Sequence, residues 1–103
     1  MSHNDAFQAR MIEDRRLVIL RYLDEEPDGR MSVSLMADAL EIMGHKVPRA
    51  TVLDDAGYLE GLGLLRVEYV GSVSMLRLTG RGSEAAKGLI EAPGVKRPAR
   101  GTE

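Results

Sequence analysis

From Phe7 to Leu23 the apolar residues recur at helical spacing. Ile12, Ile19, Leu20 and Leu23 share one face, and Met11, Val18 and Tyr22 widen it. The run Leu17–Leu20 is apolar around much of the circumference, so this helix is either central to the fold or covered by a partner. "DEEPDGR", Asp24 to Arg30, ends it, because Pro27 and Gly29 break helices. A second helix is expected from an N-cap at Ser32, with Leu35, Met36, Ala39, Leu40 and Met43 inward and Gly44 as its stop. A third is expected over Pro48–Gly61, where Pro48 occupies the first turn at no hydrogen-bonding cost. Val52, Ala56 and Leu59 are its inward positions. At 100° per residue, Ala50, Thr51, Asp54 and Tyr58 then face outward, with Asp55 at their edge and Arg49 in the first turn.

Beyond "GLGLL" the period changes to two. In "LLRVEYV" Leu65, Val67 and Tyr69 point one way, and Arg66 and Glu68 the other. Gly71–Ser72 is a tight turn, and "SMLRL" returns with Leu76 and Leu78 opposed to Met75 and Arg77. Thr79 is placed to cap a last helix running through "EAAKGLI". A short third strand near Arg30–Met31 would complete the sheet, since an isolated hairpin is marginal in water. The expected fold class is therefore α+β, mainly α: a winged helix-turn-helix with a three-helix core, a two- or three-stranded β wing and a C-terminal helix. Residues 1–6 are expected to be a disordered start, 7–92 the domain, and 93–103, "PGVKRPARGTE", a flexible basic tail.

Composition narrows the chemistry. The 103 residues suit one small domain, and aromatics are only 4% with no Trp, so the core must be aliphatic. The absence of Cys removes thiolate metal sites, disulfides and Cys nucleophiles. No apolar run reaches the ~18 residues of a membrane span, and the polar "MSHNDAFQAR" lacks a signal-peptide core, so a cytoplasmic protein with no membrane partner is expected. Net charge is −2, with 6 basic and 9 acidic residues over 1–47 and 8 basic and 7 acidic over 48–103. "DEEPDG" resembles the start of a calcium loop, but its twelfth position is Leu35 and Pro27 interrupts it. His3 and His45 are far apart in sequence and have no Cys beside them, so no metal is expected. No nucleophile–base set and no phosphate-binding glycine loop is evident. The expectation is no catalytic site, no cofactor, no small-molecule ligand and no enzyme activity.

"GYLEGLGLLRVE" and "VSMLRLTGRGSEAA" resemble the end of the reading helix, the wing and the closing helix of bacterial winged-helix regulators of the ArsR/MarR kind. "LTGRGSEAA" is similar to the L-T-x-x-G-x-x-A turn that follows their wing. More narrowly, "EDRRLVILRYL", "ADALEIMGHKVPR" and "PGVKRP" resemble small winged-helix proteins of Mu-like phages and prophages, over about residues 10–98. The resemblance implies a transcriptional regulator that binds double-stranded DNA, as a homodimer, with the third helix in the major groove and the wing along the backbone. The residues available for such contacts are Lys46, Arg49 and Thr51 at the start of that helix, Tyr58 on it, and Arg66, Ser72, Arg77 and Arg81 on or after the wing. Lys96, Arg97 and Arg100 add a basic tail. The expected dimer contact is helix 1 with the C-terminal helix, from the apolar surplus of Leu17–Leu20, Leu89 and Ile90. Asp54 and Asp55 oppose the DNA reading, because carboxylates are repelled by phosphates and can accept only from cytosine in the groove. The alternative is a winged-helix protein–protein interaction module, with Asp54, Asp55, Tyr58 and Leu53 or Leu62 facing a protein.

Overall fold

The computed structural model of the chain describes residues 3–99. Its first element, α1 (His3–Glu25), is the longest, and it begins inside the stretch expected to be disordered. Asp5 in its first turn suits the positive end of the helix dipole. Leu17, Val18, Ile19, Leu20 and Leu23 are all buried within the one chain. The apolar run therefore reflects a helix at the centre of the fold, and no second copy is needed to cover it.

A short strand, β1 (Arg30–Ser32), leads directly into α2 (Val33–Ile42). The Ser32 hydroxyl caps α2 by accepting the Leu35 N–H at 3.1 Å. Because the helix starts at Val33, its buried stripe is Val33, Met36, Ala39 and Leu40. Leu35, expected inward, falls outside that stripe and is 52% exposed. Met43, also expected inward, lies past the last helical turn and is 56% exposed. The helix α3 (Arg49–Gly61) buries Val52, Ala56 and Leu59 as its spacing predicts, with Pro48 at the N-cap position rather than in the first turn.

The strands β2 (Leu65–Val70) and β3 (Val73–Leu78) form the expected hairpin around Gly71–Ser72, and β1 adds to it antiparallel, giving the order β1-β3-β2. The inner face of this sheet supplies Met31, Leu65 and Leu76 to a core shared with α1, α2 and α3. Each fully buried Leu or Ile in that core contributes roughly 1.5–3 kcal/mol. The last helix, α4 (Gly80–Ala86), is capped by the Thr79 hydroxyl, which accepts the Gly82 N–H at 3.0 Å and donates to the Gly63 carbonyl at 2.7 Å. A side chain at Gly82 would collide with the Leu64 carbonyl, with the added carbon at 1.8 Å. The "LTGRG" turn thus needs Thr to cap and Gly to let α4 lie on the α3–β2 connection. This helix ends at Ala86 instead of continuing through Ile90, and Leu89 is left 70% exposed.

The chain is α+β and mainly α, with four helices and a three-stranded antiparallel sheet among the described residues. No described helix is long and apolar enough to cross a membrane. The segment from Pro93, expected to be a flexible tail, runs back over α1 and α3, with the Lys96 N–H donating to the Glu13 carbonyl at 3.1 Å. Residues 100–103, including Arg100, lie outside the described residues.

Candidate functional site

Asp55 occupies a core position of α3. Val52, Asp55, Ala56 and Leu59 are spaced i, i+3, i+4 and i+7, and all four are buried. The carboxylate is 3% exposed and is held from α1 by two consecutive arginines. Arg15 Nε donates to its Oδ2, and Arg16 Nε donates to Oδ1 at 3.3 Å. Such burial is tolerated only because both oxygens are paired. The edge position assigned to Asp55 from the helical wheel is corrected accordingly: this carboxylate faces α1, while Asp54 and Glu60 remain the exposed acids of α3.

The same network fixes Tyr58. The Arg16 guanidinium lies 3.7 Å from the Tyr58 ring centroid and donates through Nη1 to the Gly94 carbonyl at 3.0 Å. The Tyr58 hydroxyl donates to the Pro93 carbonyl at 2.7 Å. The proton of its hydroxyl is thus engaged by the C-terminal segment, although the ring stays partly exposed. Nearby, Asp14 lies between His45 Nε2 at 2.7 Å and Lys96 Nζ at 3.3 Å. Burial pushes the Asp14 carboxyl up, but hydrogen bonds from His45 and Lys96 outweigh it and hold the group below the ordinary carboxylate range.

A separate open groove of about 610 Å³ lies between α2, α3 and the hairpin. Three elements meet there: Ser32 and Ser34 at the start of α2, Arg49 and Leu53 on the N-terminal half of α3, and Ser72 and Ser74 at the hairpin turn. The α3 N-terminus has no side-chain cap, since Pro48 supplies none, and no acidic residue sits in the first turn of α2 or α3. The uncapped start of α3, and the dipole of α2 with no acid in its first turn, therefore add positive potential to that of Arg49.

The predicted contact residues fall into separate groups. Arg49 and Ser72 share the groove, and Lys46 is exposed in the turn three residues ahead of Arg49. Thr51 is half-buried on the first turn of α3, its N–H donating to the Pro48 carbonyl. Arg66 and Arg77 are cross-strand partners on the outer face of the sheet. Arg81 is exposed beside Gly63, past the far end of α3 and roughly 18 Å along that helix from Arg49. The groove also contains Ser34 and Ser74, which helical and strand periodicity did not single out, and Ser32, expected only as a helix cap. Their signal was the short strand running straight into the Ser32 cap, which sets the start of α2 against the hairpin.

No protein-family model matches the chain. It is 38% identical over 88 residues to a protein of Escherichia phage Mu described as "Uncharacterized protein gp26", and the match covers 85% of this chain and 91% of the Mu protein. The matched length takes in most of the chain, so it spans sheet and helices together, and the chain belongs to the family of the phage Mu protein gp26.

Proposed function

We propose that this chain is a phage-encoded winged helix-turn-helix protein that binds double-stranded DNA through the groove between α3 and the hairpin, and regulates transcription. The observation that carries this reading is the meeting of Arg49 and the uncapped start of α3 with the hairpin turn at Ser72 in one open groove. The layout is that of a probe helix with a flap beside it. The inward turn of Asp55 removes one of the two carboxylates that opposed DNA on this helix. Phosphates find donors here in Arg49, the serine hydroxyls and the uncapped N–H groups at the start of α3.

The exposed line along α3 is Ala50, Asp54, Gly57 and Gly61. These residues supply few donors to base edges, so backbone contacts dominate, Arg49 among them, and discrimination between sequences rests on Thr51 and Asp54. A homodimer through α1 and the C-terminal region belongs to this reading, resting on exposed Phe7 and Leu89. The test is Arg49→Ala. Its affinity for duplex DNA falls equally on unrelated sequences, and the dependence of log Kd on log salt flattens by about 1. Unchanged affinity in a folded Arg49→Ala protein places the DNA elsewhere.

A second reading, a protein-interaction module, is favoured by the exposed apolar hairpin end. There Tyr69 is 72%, Val70 56% and Val73 47% exposed, and Asp54 lies free on α3. It predicts no duplex binding at low salt.

A further inference from the structure

The strand register sets basic residues abreast on the outer face of the sheet. Arg30 pairs with Arg77 across β1 and β3, and Arg77 pairs with Arg66 across β3 and β2. Side chains alternate along each strand, so these arginines form one row pointing away from the core, with Ser32, Met75 and Glu68 as the next row. Neighbouring strands lie about 4.8 Å apart, so the three stems fall within about 10 Å. Like charges set directly opposite one another destabilise a sheet.

Compensation is incomplete. Glu68 reaches Arg30 Nη2 at 3.7 Å and Arg77 Nη1 at 3.5 Å, so one carboxylate faces three cations. Among the described residues, the Arg66 side chain has no hydrogen bond or ion pair. Arg30 Nε is shut off from solvent and has no hydrogen-bond partner. An external polyanion suits such an under-compensated row, because guanidinium forks match phosphate oxygens and are weakly hydrated.

We propose that this outer face is a second phosphate-binding surface, separate from the α3–hairpin groove, and that duplex DNA engages it beyond the groove. The inference rests on the duplex-binding reading above. The arginine row stands four strand positions back from the Val70–Val73 pair at the hairpin end. At about 3.3 Å per residue that is about 13 Å, or roughly four base pairs of duplex. A duplex long enough only for the groove leaves the row empty, and a longer one bending along the hairpin fills it.

The experiment compares the unaltered protein, the double variant Arg66→Thr with Arg77→Thr, and Arg49→Ala on two duplexes between about 50 and 200 mM salt. The short one is a loop-closed duplex of about 6 base pairs, which reaches only about three base pairs to either side of the groove, and the long one has about 30 base pairs. Threonine suits a strand and relieves the opposed charges, so the double variant melts no lower than the unaltered protein. The expected result is that the double variant binds the short duplex as the unaltered protein does. On the long duplex its salt slope flattens by about 2. If it matches the unaltered protein on both lengths while Arg49→Ala is weaker, the second surface is wrong and the groove stands. If it is weaker on the short duplex as well, the row belongs to the groove's own footprint and the claim of a separate surface fails. If Arg49→Ala matches the unaltered protein while the double variant loses the long duplex, the groove falls and the sheet face stands. Binding of neither length by the unaltered protein overturns both.

Discussion

The carboxylate at Asp55 and its neighbour at Asp54 look alike in sequence and differ entirely in surroundings. Asp55 lies against Arg15 and Arg16 in the core stripe of α3, whereas Asp54 is exposed. Removing Asp55 strands two cations that are only 12% and 18% exposed. Asp55→Ala should therefore cost about 2–4 kcal/mol, while Asp54→Ala should stay within about 0.5 kcal/mol. Urea unfolding of the two variants measures the difference, and equal costs would show that Asp55 is not held as described. The clue was present in the spacing Val52, Asp55, Ala56, Leu59, which places Asp55 on the apolar face, and in the paired arginines on the preceding helix. Single-helix periodicity does not reveal it, because the partner is 39 and 40 residues away.

Among the elements, the hairpin was the most legible. Strict alternation in "LRVEYV" and "SMLRL" fixes which side chains face the core, and the turn at Gly71–Ser72 sets the register seen between β2 and β3. The C-terminal segment was the least legible. Its few apolar residues suggest disorder, yet backbone carbonyls of Pro93 and Gly94 accept from Tyr58 and Arg16. Contacts made to backbone oxygens leave no mark in composition. Gly94 is the position on which this docking turns. Its φ is +74°, and an added Cβ would sit 2.3 Å from the Tyr58 hydroxyl and 2.8 Å from Arg16 Nη1. Gly94→Ala should cost about 1–3 kcal/mol and speed hydrogen exchange at the Lys96 N–H, which otherwise bonds to Glu13. Unaltered exchange at Lys96 would mean the segment does not depend on this turn.

At the scale of the whole molecule, a net charge of −2 says little about function, because the charges are sorted by position. Acids are drawn into pairs: Asp55 with α1, Asp14 with His45 and Lys96, and Glu68 with the sheet arginines. The groove at the start of α3 keeps Arg49 and two helix N-termini unpaired by acids in their first turns. Sequence composition averages over this sorting, whereas the element order that creates the groove was readable from periodicity alone. The central claim is that this groove takes duplex DNA by its backbone, and mixed-sequence duplex binding at about 50 and 200 mM salt tests it most directly. With Lys46 and Arg49 of each protomer of a dimer neutralising about four phosphates, the affinity should fall by about 100-fold between the two. A folded protein that binds no duplex at the lower salt, or binds equally at both, would contradict the claim.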